Sequence, residues 1–213
     1  MTESAHGIIL RTRPLTETSL IIRWLTPQFG RISTVAKGAR RPKSSFAGKL
    51  DLFYEADFSF AHSRKSDLHI LREVNLRETN KFLRDDILKL NRAAYACAFI
   101  EQATETETPV SAVHDLLREF LKALQSQSPA QMVFAFELKL LRELGLEPDL
   151  AKTSLSPGTK KIAAILLAKN FEWLANLKLM KLQAEELRQF LHGFLIFHLG
   201  KLPKGRAGAL AEI

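Results

Sequence analysis

Apolar and polar side chains follow a two-residue period over the first 77 positions, and a three-to-four-residue period takes over beyond residue 78. Residues 7–13 (GIILRTR) and 18–26 (TSLIIRWLT) are rich in Ile, Leu and Thr, with Pro14, Thr16 and Glu17 between them, which predicts two strands joined by a turn. Residues 27–30 make the next turn. Residues 31–36 predict a short strand with Ile32, Thr34 and Ala36 on one face. Residues 50–61 predict another, with Phe53, Phe58 and Phe60 on its apolar side, and residues 67–76 a fifth after a polar turn at 62–66. Five short strands without a helical stretch to cover them point to a small closed barrel, because an open sheet of this size would leave edges unpaired.

The second period belongs to helices. Leu83, Ile87, Leu90, Ala94, Cys97 and Ile100 recur at spacings of three and four and predict one helical face. Pro109 opens a second helix with Val113, Leu116, Leu117, Phe120, Leu121 and Leu124 as its apolar stripe. A third is predicted over 129–144, stopped by Gly145. After a loop at 147–158 come helices at 159–170 and 183–199, the last with Leu187, Phe190, Leu191, Phe194, Leu195 and His198 along one side. The tail at 201–213, with Pro203, Gly205 and Gly208, is expected to be only partly ordered. The fold class is therefore α+β and multidomain: a five-stranded barrel over 1–79, of which the OB-fold is the common nucleic-acid-binding type, and an all-α domain over 80–213.

Charge adds a partner class. The 213 residues carry a formal charge of +8, which favours a polyanion. Residues 1–80 hold 13 Lys plus Arg against 8 Asp plus Glu, a net of +5; residues 81–213 hold 18 against 15, a net of +3. The excess in the barrel lies mostly in one stretch, RISTVAKGARRPKSSFAGK, which has Arg31, Lys37, Arg40, Arg41, Lys43 and Lys49 and no acidic residue. Gly38 permits a turn after the third strand and Pro42 cannot donate to a ladder, so residues 37–49 read as a basic loop. Such a run repels itself unless an anion sits on it. A phosphate backbone fits, with release of condensed counterions; a solvated loop of a basic protein is the plainer alternative. Among the barrel aromatics Trp24, Phe29, Phe46, Phe53 and Tyr54, the strand residues Trp24 and Phe53 read as interior. Phe46, inside the basic loop, is expected to be exposed and free to stack on bases.

Other chemistries find little support. GARRPKS at 38–44 lacks the second Gly and the spacing of a phosphate-binding P-loop. The six histidines are scattered, and neither His62 with His69 nor His192 with His198 has the i, i+4 spacing of paired metal ligands. The single cysteine, Cys97, excludes an internal disulfide and lies among apolar residues, consistent with a reducing compartment. Asp85, Asp86, Glu185 and Glu186 fall in helix first turns, where carboxylates favour the dipole. No catalytic set emerges, no cofactor is implied, and a non-enzymatic protein is expected. No apolar run is long enough to span a bilayer and the N-terminus does not look like an export signal, so a cytoplasmic location is expected, nucleoid-associated if the partner is DNA. In the helical part, Lys160, Lys161, Lys169, Lys178, Lys181 and Arg188 flank apolar stretches; a groove rimmed by them would suit an acidic peptide tail with an aromatic end, and an ordinary solvated helix face is the plainer alternative. A second reading of the whole is an adaptor that uses the basic loop for acidic proteins or RNA.

RPLTETSLIIRWLTPQFGRISTVAKGARRPKSSFAGKL at 13–50, FELKLLRELGLEPDL at 136–150 and FLHGFLIFHLGKLPKGR at 190–206 resemble the bacterial RecO family of recombination mediators. The resemblance implies an N-terminal OB-fold ahead of a helical domain and a role in DNA repair and recombination. It further implies binding to single- and double-stranded DNA, annealing of complementary strands, and loading of the RecA recombinase together with RecR. The DNA would be coated by single-stranded DNA-binding protein, whose acidic C-terminal tail docks on the helical domain; a monomer is expected for the chain alone. Some relatives carry a zinc site that begins C-x-x-C-G after E-P-D-L. Here Thr153, Ser156, Pro157 and Gly158 stand in that region, and neutral hydroxyls do not replace thiolates, so no zinc is expected.

Overall fold

The computed structural model describes residues 2–63, 66–126 and 129–211. It divides into two compact units, one of residues 1–80 with Thr104–Asp115 and the other of Lys81–Ala103 with Leu116–Ile213. Arg64 and Lys65 of the turn expected at 62–66, and Glu212 and Ile213 of the tail, lie outside the described residues.

In the first unit β1 (Thr2–Pro14), β2 (Leu20–Thr26), β3 (Gly30–Ala36), β4 (Glu55–Ala61) and β5 (Leu68–Glu78) form a closed barrel in the order β1-β2-β3-β5-β4, the arrangement of an OB-fold. β1 closes it by serving two partners. Its first half pairs with β4, from Thr2 opposite Ala61 to Ile8 opposite Glu55, and its second half pairs with β2, with a shift in register between Ile9 and Arg11 where the strand bends. The strand therefore begins five residues earlier than its apolar pattern suggests, because edge pairing with β4 orders Thr2–Ala5 whatever their side chains. Conversely β4 begins at Glu55 rather than at residue 50: Phe53 has φ +67, which no strand residue can have, and its buried side chain fills a turn. From Glu55 to Ala61 burial alternates without exception, and Phe58 and Phe60 point inward. Trp24 stacks on Phe58 with ring centroids 4.0 Å apart, and its Nε1 donates to Thr34 Oγ1 at 2.9 Å, so the indole is both buried and satisfied.

The β3–β5 pairing is parallel and only three residues long, Ser33–Val35 on Leu68–Ile70. That leaves the first half of β3 as an edge, which Thr104–Asp115 covers. Thr106 bridges Arg31, and Glu107 donates its N–H to the Arg31 carbonyl at 3.0 Å. Gly30 has φ +63, and a Cβ there would lie 1.8 Å from the Thr108 carbonyl oxygen. The strap fits only a glycine.

The second unit contains α1 (Ile87–Ala103), most of α2 (Ser111–Ala123), α3 (Gln131–Glu143), α4 (Pro157–Ala168), α5 (Phe171–Leu174), α6 (Lys181–Leu199) and α7 (Arg206–Ala209). The α2 stripe is buried throughout, from Val113 to Leu124. The expected α1 face is corrected in part: Ile87 is 66% exposed and Ala94 is exposed, while Ala93, Tyr95, Ala96, Cys97, Phe99 and Ile100 are buried. Its C-terminal half is covered on more than one side, so a single stripe misdescribes it. Leu83 sits in a separate 3-10 turn, and Asp86 caps α1 by accepting the Leu88 N–H at 2.8 Å. The tail is corrected as well. Arg206 donates to both oxygens of the fully buried Glu137, at 2.7 and 3.0 Å, and Tyr95 donates its hydroxyl to the same carboxylate. With Pro203, Ala209 and Leu210 also buried, the tail contributes side chains to this core. A carboxylate at the centre of a helical core is costly unless paired, and the tail supplies the pair.

Two expectations follow from the barrel. Gly30→Ala forces a positive-φ alanine, a strain of about 1–3 kcal/mol, and adds the collision with Thr108; Gly38→Ala, at φ +69 with its nearest new contact at 3.6 Å, incurs the strain alone. Denaturant melts should therefore show Gly30→Ala as the more destabilising of the two. The second concerns pH. Burial, reinforced by neighbouring His62 and opposed by Glu107, holds the His69 imidazole below its ordinary range, and burial does the same to His114. The native barrel then binds fewer protons than the unfolded chain in the window below about pH 6.5. Its stability should be full above that value and fall as the pH drops toward the depressed native pKa values. Urea midpoints measured from pH 8 to pH 5 should decline, and His69→Gln should make the decline shallower.

Candidate nucleic-acid interface

The basic loop leaves β3 at Lys37 and is built from successive turns. Backbone N–H groups donate from Arg41 to Gly38, from Ser44 to Arg41, from Ala47 to Ser44 and from Lys49 to Phe46, at 3.0–3.1 Å. Arg40 N–H reaches the Thr18 carbonyl at 3.0 Å and its guanidinium the Thr16 carbonyl at 3.2 Å, which ties the loop to the β1–β2 turn. Phe46 anchors it from the other side. This ring is 8% exposed and belongs to the barrel core with Trp24, Phe58 and Phe60. The expectation of an exposed Phe46 is thus corrected: a like-charged loop has no core of its own, so its one large apolar side chain is drawn into the core beneath it.

What the loop presents is cationic. Lys37, Arg40, Arg41 and Lys43 are exposed and Lys49 is half-buried, and among the described residues none of the five is paired with a carboxylate. Arg31 is a different matter. Its Nε donates to Thr104 Oγ1 at 2.8 Å and its Nη2 to the Thr104 carbonyl, so this guanidinium, expected as a DNA contact, also fastens the strap. The structure adds cations that the loop-centred reading missed. Arg11 stands directly opposite Arg23 across β1 and β2, and Arg13 opposite Ile21, toward the turn on which the loop is tied. Arg11 and Arg23 have partners within the chain, and Arg13 is exposed. The outward positions Arg11 and Arg13 alternate with Leu10 and Thr12, a signal present in the sequence but not as a run.

Two acidic groups of β4, Glu55 and Asp57, are engaged by neighbouring side chains. His6 Nε2 lies 2.7 Å from Glu55 and Nδ1 3.0 Å from Asp57, and Arg77 pairs with Asp57. The Arg77 guanidinium, opposed by partial burial and aided by His6, holds the Asp57 carboxyl below the usual carboxylate range. Because the five loop cations have no carboxylate partner among the described residues, no ion pair of theirs need be broken when a polyanion binds.

The family model for the N terminal of recombination protein O matches residues 1–80, and that for its C terminal matches residues 84–155. The chain belongs to the RecO family. It is similar to the DNA repair protein RecO of Listeria monocytogenes serotype 4b (strain CLIP80459), 30% identical over 154 residues, which is 72% of this chain and 60% of the relative. The RecO of Symbiobacterium thermophilum is 33% identical over 150 residues, 70% of this chain and 58% of the relative. The RecO of Alkaliphilus metalliredigens is 27% identical over 232 residues, 92% of this chain and 94% of the relative. The chain spans about three fifths of the length of the Listeria and Symbiobacterium relatives it matches.

For a RecO-family chain the region after E-P-D-L has specific interest, and its residues do not suit zinc. Ser156 caps α4, its Oγ accepting the Thr159 N–H at 3.4 Å and donating to Glu186 at 2.8 Å, and Thr153 Oγ1 donates to the Leu150 carbonyl at 2.9 Å. These hydroxyls are spent on helix ends and bring no thiolate. The basic positions of the helical unit are distributed along it. Lys160 Nζ donates to the Ala151 carbonyl at 3.1 Å, which leaves its charge uncancelled, whereas Arg188 is occupied with Glu185 and the Leu210 carbonyl. Lys161 is exposed on α4. Lys169 lies 5.4 Å above the Trp173 ring, and Lys178 and Lys181 bracket the exposed Met180, with exposed Leu182 next in the chain.

Phe46→Ala should destabilise the barrel by about 3 kcal/mol, the lower end for a core phenylalanine, whereas Phe46→Leu should cost under about 1.5 kcal/mol. Guanidinium melts of the two variants check this, and a loss of strand binding by Phe46→Leu at unchanged stability would return the ring to the surface.

Proposed function

We propose that this chain is a non-enzymatic DNA-binding protein of recombinational repair, which grips the sugar-phosphate backbone of single- and double-stranded DNA through Lys37, Arg40, Arg41, Lys43 and Lys49. The observation that carries this is a loop of exposed cations without acidic partners, fixed in shape by Phe46 and by its bonds to the β1–β2 turn. A shaped cationic ridge contacts successive phosphates at little entropic cost, while the lack of base-specific geometry leaves sequence unread. Such binding holds strands without choosing among them, which is what annealing requires. Membership of the RecO family, whose relatives are DNA repair proteins, supports the repair role, and the wider reading adds annealing of complementary strands and assistance, with RecR, to RecA on DNA coated by single-stranded DNA-binding protein.

A second surface supports the partner part of that reading. Lys169 over Trp173, with Lys178 and Lys181 beside Met180 and Leu182, offers apolar contacts flanked by ammonium groups. We assign the acidic C-terminal tail of the single-strand binding protein to this region. The reading places the chain in the cytoplasm beside the nucleoid; no helix among the described residues is long and apolar enough to cross a membrane.

The test is salt dependence. Log affinity for a single strand should fall linearly with log salt, by about 0.7 per phosphate neutralised. Arg40→Ala with Arg41→Ala and Lys43→Ala should lower the slope by about 2 and weaken binding at moderate salt. Arg31→Ala should instead lower the melting temperature and leave the slope in place. An unchanged slope in the triple variant would remove the loop from the interface.

A further inference from the structure

Beside the ridge of cations lies a cavity of about 210 Å³, walled by Leu20, Ala47, Leu50 and Tyr54, with the buried Phe46 as its floor. Its size sets the first limit. Drug-sized ligands fill about 300–1,000 Å³, so this space takes a single ring system. Its walls set the second: Leu20, Phe46, Leu50 and Tyr54 supply apolar and aromatic side chains, polar surface accounts for somewhat more than half of the lining, and the one charged lining residue is Asp51, whose carboxylate accepts the Leu52 N–H at 2.7 Å. A carboxylate at the rim disfavours a bare phosphate and accepts polar N–H groups. Its neighbours in the chain set the third. Arg40 follows the lining residue Ala39, and Lys49 stands between the lining residues Gly48 and Leu50, so cationic residues adjoin the lining segments in the chain, Arg40 exposed and Lys49 half-buried. An occupant must therefore be a flat ring joined to an anion that lies outside.

The backbone holds this cavity in place. Tyr54 follows Phe53, a non-glycine residue at φ +67, and the turn is pinned to β1 on both sides: Phe53 N–H donates to the Ile9 carbonyl and Ile9 N–H to the Tyr54 carbonyl, each at 2.9 Å. Asn80 donates its side-chain N–H to the Phe53 carbonyl at 2.8 Å. A left-handed phenylalanine is kept only where its surroundings over-determine it, and such positions gather at sites of function. Its effect here is to fix the half-exposed Tyr54 side chain at the cavity wall.

We propose that this cavity receives one unstacked nucleobase of a bound single strand, seated against the Tyr54 ring while its flanking phosphates lie on Arg40 and Lys49. The inference rests on the phosphate-gripping role given above and adds to it a preference for single over double strands, since a paired base cannot enter. A base held out of the stack is also unable to re-pair with its own strand, which keeps a bound strand open for a complement.

The experiment compares two strands roughly 12 nucleotides long, within the site size of one OB-fold, one with bases and one with abasic sugars throughout. The wild-type protein should bind the base-bearing strand at least about five-fold more tightly. Tyr54→Ala should abolish most of that advantage while leaving the abasic strand bound as before. Ala47→Leu, which fills the cavity from an exposed position without removing a wall, should do the same, with thermal melts to show that it is folded. Equal affinity of the wild type for both strands, with normal salt dependence, would overturn the cavity and leave the phosphate contacts standing. An advantage retained in both variants would place the base contacts elsewhere and overturn it too. Binding of neither strand would overturn the phosphate-gripping role and the cavity together. Tighter binding of an acidic, Phe-bearing peptide to the wild type than to Ala47→Leu, with the base-bearing strand indifferent to that change, would assign the cavity to a protein side chain.

Discussion

A run of lysines and arginines has no attraction for itself, and every other feature of the proposed interface depends on how that problem is met. The loop between β3 and β4 takes its shape from what is uncharged in it. Phe46 is drawn into the barrel core, backbone N–H groups close one turn upon the next, and Arg40 spends its own N–H and part of its guanidinium on carbonyls of the β1–β2 turn. Hydrogen bonds to carbonyls leave the positive charge uncancelled, which a carboxylate partner would not. The loop is thereby held without being neutralised. A mobile loop of the same composition would have to lose its freedom on each encounter with a polyanion; one already shaped loses less.

The barrel sorts its charges by the same logic. On the β1–β4 side, His6, Arg77 and the carboxylates of Glu55 and Asp57 satisfy one another, and the Arg77 guanidinium lowers the pKa of Asp57. Arg31 is consumed in closing the gap that a three-residue parallel pairing leaves beside β3. A bare β edge invites pairing with another chain, and the Thr104–Asp115 strap forecloses it. Among the described residues, the exposed cations of the loop and Arg13, the exposed outward arginine of β1 nearest the turn, have no carboxylate partner.

The helical unit answers a different constraint. Its core contains Glu137, fully buried, and Lys139, whose Nζ donates to the Leu167 carbonyl at 2.8 Å and whose pKa burial lowers. Buried ions of this kind tolerate few arrangements. Arg206 completes the Glu137 site from the last residues of the chain, so a segment rich in Gly and Pro becomes part of the core. Apolar residues are nevertheless left outside: Phe197 is 83% exposed, and Leu182 and Met180 are 68% and 64% exposed. Exposed apolar surface with lysines nearby fits a surface that meets other molecules.

The two-residue and four-residue periods were enough to name a five-stranded barrel followed by helices, because each records which side of an element faces water. Glu55–Ala61 and the α2 stripe are legible for that reason, and the basic run is legible because charge is a property of composition. The fates of individual side chains were not legible. Arg31 and Arg41 look alike in the chain, yet one meets Thr104 some seventy positions later and the other meets solvent. Phe46 reads as exposed because its neighbours are charged, and Arg206 as loose because its neighbours are Gly and Pro. Contacts between distant parts of the chain decide which cations are spent on the fold and which remain for a ligand, and a local pattern carries no record of them.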